Sequence, residues 1–172
     1  QPLANNYHEG EEQEEYPLKI NVCSSCYHMQ LSVVVDPDLM FKDYLYVSGT
    51  SKTLHEYFTE FAKICEHYSR GRRRVLDIAC NDGTQLDKFK ELGWKTTGVD
   101  PAVNLYPLSS KNHNIACDYW SEDVASQLHD TYDAIIAQNV FAHTHDIHSF
   151  LKACKIVSDE KTNIFIQTSQ AD

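Results

Sequence analysis

Residues able to do chemistry gather at two points. Asp77 precedes the run Ala79-Cys80-Asn81-Asp82-Gly83-Thr84, and Gly98-Val99-Asp100-Pro101 begins fourteen residues after Thr84. A dinucleotide site wants three glycines, so that backbone can close on a pyrophosphate. This turn has one glycine and an acid, and Asp77 and Asp82 would repel a pyrophosphate. They suit a ligand that is cationic at that point, such as S-adenosylmethionine with its ammonium and sulfonium. Asp100 can accept hydrogen bonds from both ribose hydroxyls, and such charge-assisted bonds are roughly twice as strong as neutral ones. The competing reading is any α/β domain with a tight turn. The second point is Cys23-Ser-Ser-Cys26, whose spacing can give two thiolates to a tetrahedral zinc that needs four ligands. His8 or His28 could complete the set; a pair of free thiols in a turn is the alternative.

These residues need elements to hold them. Val75, Leu76, Ile78 and Ala79 form a short apolar run expected of a buried parallel strand. Asn81-Asp82-Gly83 supplies the turn, and Thr84 opens a helix with Leu86, Phe89 and Leu92 inward, stopped by Gly93. Lys95–Val99 is the second strand, with Asp100 at its end. Pro107 leaves only a short helix around Ala102–Tyr106. Asn114–Cys117 is the third strand, and Asp118 beyond it either accepts from an adenine amino group or caps a loop. A helix over Glu122–Leu128 leads to a central fourth strand, Tyr132–Gln138. His143 follows at that strand's carboxyl end, where a reacting group belongs; the alternative is a helix-terminal histidine bonded to backbone. Ile147–Val157 and Asn163–Ile166 complete the pattern as helix and fifth strand. Upstream, Thr53-Leu-His-Glu56 forms a capping box for a helix with Leu54, Phe58, Phe61, Ile64, Cys65 and Tyr68 facing a core. The expected fold is α/β, a Rossmann-like doubly wound parallel sheet ordered 3-2-1-4-5, with a small N-terminal zinc-knuckle appendage.

Composition bounds the rest. A chain of 172 residues that is 42% hydrophobic can fill one core, and a net charge of −10 argues against a phosphate-backbone ligand. No nucleic-acid partner is expected. No apolar run nears the ~20 residues of a membrane span, so no membrane partner is expected and a cytoplasmic location is. Isolated Cys65, Cys80, Cys117 and Cys154 are expected to be small buried hydrophobes. The acidic run Glu9–Glu15 is expected to be a solvated loop, and Asp36–Ser51 shows no clear period.

Several stretches together resemble one family: Pro2-Leu-Ala-Asn5, Tyr16-Pro-Leu, Cys23-x-x-Cys26, Phe41-x-x-Tyr44-x-Tyr46-x-Ser48-Gly-Thr-Ser51, Asn81-Asp-Gly83, Asp118-Tyr-Trp120 and Asn139-Val-x-Ala-His143. The glycine turn itself resembles motif I of Rossmann-like methyltransferases, with Ala79 where the usual pattern has glycine. The family is that of the S-adenosylmethionine-dependent C-methyltransferases of deoxysugar biosynthesis, which methylate C3 of a nucleotide-linked 4-keto-6-deoxysugar. The resemblance implies cofactor-binding positions at Asp77, Ala79, Asn81, Gly83, Asp100, Pro101, Asp118, Tyr119 and Asn139. It implies a small-molecule nucleotide-sugar substrate, with His143 and Tyr46, and more weakly Tyr44, on its side of the site. A tyrosine in the Tyr46 position either touches substrate or packs an N-terminal domain onto the sheet. The implied organisation is residues 1–50 as part of a zinc domain with a Tyr/Ser-rich linker, and 51–172 as the cofactor domain. Family members carry two CxxC pairs, of which Cys23 and Cys26 match the second. They also continue into a Tyr-His-Glu-His segment and a further domain. The sequence is therefore expected to be an internal fragment that holds half a zinc site, binds cofactor and turns over little. Two other functions stay open: a methyltransferase for another small acceptor, and a non-catalytic cofactor-binding or zinc-linked module.

Overall fold

A computed structural model describes residues 15–168 of the protein, in two compact units, 15–45 and 46–168. Pro2–Asn5, His8 and most of the acidic run lie outside the described residues.

In the first unit, strand β1 (Ile20–Val22) pairs antiparallel with β2 (Met29–Leu31), in the register Ile20 to Leu31 and Val22 to Met29. The Cys23–Cys26 turn joins them: Tyr27 N–H donates to Cys23 C=O at 2.9 Å, and Cys23 N–H donates to His28 C=O at 2.9 Å. Each strand is three residues long. The segment without a clear period contains helix α1 (Pro37–Phe41), with Pro37 in its first turn and Asp36 as N-cap, accepting from Asp38 N–H at 2.9 Å.

The second unit is a five-stranded parallel sheet. Its strands are β3 (Arg74–Ile78), β4 (Lys95–Val99), β5 (Asn114–Ala116), β6 (Ala134–Gln138) and β7 (Asn163–Gln167). They lie in the order β5-β4-β3-β6-β7, the expected doubly wound order. Two helices, α2 (Lys52–Tyr68) and α3 (Thr84–Glu91), cover one face. There Ala62, Cys65, Leu86 and Phe89 pack on Val75, Ala134 and Ile136. Short α5 (Glu122–Gln127) and α6 (Ile147–Ile156) cover the other, where Phe150, Ala153 and Cys154 meet Leu76, Ile78, Val99 and Ile135. Burial on both faces is why β3 and β6 carry near-continuous apolar sequence. The sheet order puts β3 beside both β4 and β6, so the carboxyl ends of those three strands share one rim.

Three local expectations are corrected. The N-cap of α2 is Ser51, whose hydroxyl accepts from Leu54 N–H at 3.4 Å, two residues before the expected box. The buried face of α2 is Phe58, Ala62 and Cys65, while Ile64 and Tyr68 are exposed. The small residue at 62 lets the helix approach the sheet, and that rotates its apolar stripe. Finally, helix α4 is Tyr106–Ser109, not Ala102–Tyr106, because Pro107 sits in the first turn, where a missing N–H costs nothing.

The amino end of the sheet is tied by Asp133, which is 1% exposed and accepts from Arg74 N–H at 2.9 Å. Around it Arg72 donates to Asp159 at 2.6 Å, and Arg73 pairs with Glu66 at 3.1 Å. Asp133→Ala leaves the buried Arg74 N–H without its acceptor. It should lower unfolding free energy by about 1–3 kcal/mol, read from urea denaturation; an unchanged midpoint would contradict the clamp.

Candidate functional site

The site is built from the end of β3, the turn that follows, and the end of β4. Ala79 and Asn81 hold positive φ angles of 64° and 53°, and Gly83 follows at 85°. Left-handed backbone costs a residue with a Cβ about 1–2 kcal/mol, so Ala79 and Asn81 need tertiary support. Ala79 gets it from β4: its N–H donates to Val99 C=O at 2.8 Å. Asn81 gets it from Asp100, whose Oδ2 accepts the Asn81 N–H at 2.7 Å while Oδ1 accepts the Ala102 N–H at 2.8 Å. Gly83 cannot carry a Cβ, which would sit 2.9 Å from the buried His113 ring as well as at an unfavourable φ. The nitrogens of that ring lie 2.8 Å from Thr96 Oγ1 and 3.1 Å from Asp87 Oδ1, and burial pushes its pKa down.

Two carboxylates sit close in this rim. Asp77, in the middle of the sheet opposite Gly98 and Ile136, is 4% exposed. Burial raises its pKa well above the ordinary carboxylate range, and the charge of Asp100 raises it further. Asp100 is also pushed up by burial, against the pull of the two N–H bonds it accepts. Each Asp100 oxygen has one lone pair engaged and one to offer. The arrangement favours a ligand that brings hydroxyls to Asp100 and positive charge to Asp77.

Asp82 does something else. Its Oδ1 accepts from Thr84 N–H at 3.1 Å, filling the amino end of α3 with the protein's own anion. Its Oδ2 accepts from Gly49 N–H at 2.8 Å. A pyrophosphate needs that helix end open; here it is closed by a carboxylate.

The remaining candidates are spread along the rim. Pro101 is half-buried after Asp100, and Tyr119 is half-buried beside an exposed Asp118, whose Oδ1 accepts the Tyr119 N–H at 2.7 Å. Asn139 follows β6 with φ 56°, its N–H donating to Gln167 C=O at 2.9 Å. His143 closes a 3₁₀ turn, Phe141–His143, and is exposed. Tyr46 is 45% exposed, and its backbone C=O accepts from Asn81 Nδ2 at 2.9 Å. The structure thus joins Asn81 directly to Asp100, while Ala79 is tied to β4 at Val99 and Gly83 N–H donates to Cys80 C=O. Sequence reasoning missed the Ala102 N–H and His113, which carry no periodic or motif signal, and it met Ser48-Gly49 only as part of a motif, not as backbone donors to Asn81 and Asp82. A depression of about 350 Å³ lined by His55, Thr84, Asp87, Lys88, Lys90 and Glu91 lies beside α3. Its lysines are engaged, Lys88 with Glu91 at 3.0 Å and Lys90 with Asn112 C=O at 3.1 Å, and it is apart from the Asp77–Asp100 rim.

Cys23 and Cys26 are exposed thiols. The backbone N–H of Cys26, then that of Ser25, holds the Cys23 pKa below its ordinary value. N–H groups aimed at sulfur suit a metal thiolate, so the pair fits half of a zinc site. Among the described residues no three His, Cys, Asp or Glu side chains gather to hold a metal. Cys65, Cys80 and Cys154 are buried as expected, whereas Cys117 is exposed. Strand β5 ends at Ala116, which leaves Cys117 in the loop.

Comparison with known proteins gives this rim its family. A family model described as "Methyltransferase domain" matches residues 50–172, and one described as "Putative zinc binding domain" matches residues 1–41. The fold is the Rossmann-like class I fold of S-adenosylmethionine-dependent methyltransferases. The chain belongs to the methyltransferase domain family. It is 27% identical over 143 residues to "C-methyltransferase NovU" of Streptomyces niveus, covering 79% of this chain and 34% of that protein. It is 26% identical over 111 residues to a "Ubiquinone biosynthesis O-methyltransferase" of Chromobacterium violaceum, covering 61% and 48%. The chain therefore spans a third to a half of the length of these relatives. Among solved structures, the plantazolicin methyltransferase BamL, in complex with a triazolic desmethylPZN analog and SAH, superposes with a TM-score of 0.58 at 18% identity. That match covers 67% of this chain and 46% of that one. Among the described residues, no helix is long and apolar enough to cross a membrane.

The thiols offer a direct check on these environments. In metal-free protein near neutral pH, Cys23 should alkylate faster than Cys117, whose pKa burial and two aspartates raise. Cys65, pushed up to about 12, and Cys154, up to about 11, should stay unlabelled until the chain unfolds. Peptide mass spectrometry reads the order; labelling of Cys65 before Cys23 would contradict it.

Proposed function

We propose that the sheet unit binds S-adenosylmethionine, and that the chain is part of an enzyme carrying its methyl group to carbon on a nucleotide-activated keto-deoxysugar. The observation that supports the cofactor most is the Asp100 carboxylate. It is buried at the end of β4, fixed by two backbone N–H bonds, and keeps a lone pair on each oxygen. Those lone pairs suit the two hydroxyls of a ribose. Asp77 suits the cationic methionine end, and Asp82, closing the amino end of α3, disfavours a dinucleotide. Asp118 and Tyr119 are assigned to the adenine side, Ala79, Asn81 and Gly83 to the turn that follows the ligand, and Pro101 and Asn139 to the rim. When bound, the cofactor supplies an electrophilic methyl on a sulfonium.

The acceptor side is assigned to Tyr46 and His143. A 4-keto group acidifies the neighbouring C3–H of such a sugar. A side chain takes that proton, the new carbon–carbon bond forms, and the methyl–sulfur bond breaks. General acid–base help of this kind contributes roughly 10²–10⁴-fold. Carbon as acceptor is favoured by the match to a C-methyltransferase, which covers 79% of this chain, a larger share than the 61% matched by the O-methyltransferase above. Methyl transfer to oxygen of another small acceptor is the second reading, favoured by the several ubiquinone O-methyltransferases among the relatives. Product analysis separates them, since hydriodic acid releases an oxygen-linked methyl as methyl iodide and leaves a carbon-linked methyl in place. In the first unit, Cys23 and Cys26 are assigned to zinc, whose further ligands would come from outside the described residues.

Calorimetry with S-adenosylhomocysteine tests the cofactor assignment. Asp100→Ala should weaken binding by about 1–3 kcal/mol, the usual loss for hydrogen bonds to a charged group; equal affinity, or a preference for NAD, would contradict it. The pH dependence has a definite sign. Asp77 and Asp100 hold protons more tightly folded than unfolded, so stability falls as pH rises from the ordinary carboxylate value through their raised ones. A cationic ligand favours the ionised pair, so affinity for S-adenosylmethionine should grow as pH rises through that window. Affinity that falls there would count against Asp77 and Asp100 as its partners.

A further inference from the structure

The segment between the two units' boundary and α2 has its own fastening, and it converges on two residues of the cofactor turn. Asn81 uses its whole side chain on it: Oδ1 accepts from Ser48 N–H at 3.0 Å, and Nδ2 donates to Tyr46 C=O at 2.9 Å. Asp82 accepts from Gly49 N–H at 2.8 Å. His55 Nε2 lies 2.9 Å from Gly49 C=O, so the far end of the segment is held by the first turns of α2. The approach is close enough that a Cβ on Gly49 would lie 2.6 Å from both Asp82 Oδ2 and Thr84 Oγ1.

We propose that Asn81 and Asp82 are positioning residues that bolt the strap Tyr46–Thr50 onto the cofactor turn, so that cofactor affinity and the placement of Tyr46 are set together. The strap engages both the oxygen and the nitrogen of the Asn81 amide, and Asp82 is shared between the strap and α3, so both side chains are turned to the strap. What they transmit is position. The Asn81 N–H that braces Asp100 and the Asn81 amide that holds the strap belong to one residue at positive φ. Lifting the strap therefore removes support from the backbone that aims Asp100, and disturbing the turn frees Tyr46. Each bond also has a chemical sense: Asn81→Asp would face the Tyr46 carbonyl with an oxygen instead of an N–H.

The proposal rests on the reading of this rim as an S-adenosylmethionine site, and the experiment separates the two. Affinity for S-adenosylhomocysteine is measured by calorimetry for wild type, Asn81→Ala, Gly49→Ala and the double variant. Amide hydrogen exchange is followed at residues 46–51 and, as a control for folding, at β3 and β6. Each single variant should bind about tenfold more weakly and lose protection at Ser48 and Gly49 while β3 and β6 stay protected. The double variant should be no weaker than the worse single one, because both changes release the same strap. Multiplying effects, near a hundredfold, would overturn the proposal, as would full affinity in a variant whose strap exchanges freely. Loss of protection at β3 and β6 in both single variants would overturn it too, by making the contact part of the fold. Wild type that binds no S-adenosylhomocysteine would overturn both the proposal and the cofactor reading beneath it.

Discussion

The rim depends on one carboxylate. Asp100 ends β4 and reaches across to the turn after β3, accepting one N–H from Asn81 and one from Ala102. Without that acceptor the Asn81 N–H points into a buried region unpaired, at a cost of about 1–3 kcal/mol, and the left-handed backbone at 81 loses its brace. The parallel register of β3 and β4, Ile78 against Val99, makes the reach possible, because it brings both strand ends to the same level. The end of β4, the turn after β3 and the Ala102 backbone are thus tied together by a single side chain.

Holding that side chain has an electrostatic consequence. Asp77 lies one strand over; burial raises the cost of ionising it, and the charge of Asp100 raises that cost further. No basic side chain of the described residues is paired with either. In the free chain this is strain; with a cation beside Asp77 it becomes attraction in a region of low dielectric. Asp82 lies in the turn itself, where it accepts from the N–H groups of Thr84 and Gly49. Three acids in one short stretch have three separate jobs, and burial and hydrogen-bond partners decide which is which.

Much of this was legible in the amino acids. The apolar run Val75–Ile78, the lone Gly83 and Asp100 at a strand end specify strand, turn and acid through period and turn chemistry, which are local. The strand order also followed from alternation of strand and helix. What was not legible was long-range or depended on packing. Asn81 and Asp82 read as ligand-facing because nothing in the sequence links them to Ser48 and Gly49, 33 residues away, whose contribution is backbone N–H groups. Ser51 displaced Thr53 as a cap because the strap ends there. Pro107 moved a helix forward because proline suits a first turn as well as it breaks an interior. Cys23 and Cys26 stand as an exposed pair of thiols, with no group of three metal-ligating side chains among the described residues.

The most direct test of this account is a crystal structure of the protein with S-adenosylhomocysteine bound. The ribose hydroxyls should lie within hydrogen-bond distance of the two Asp100 oxygens, with the amino group towards Asp77 and the amino end of α3 still closed by Asp82. A ligand seated on the Thr84 N–H in place of Asp82, or a ribose away from Asp100, would contradict it.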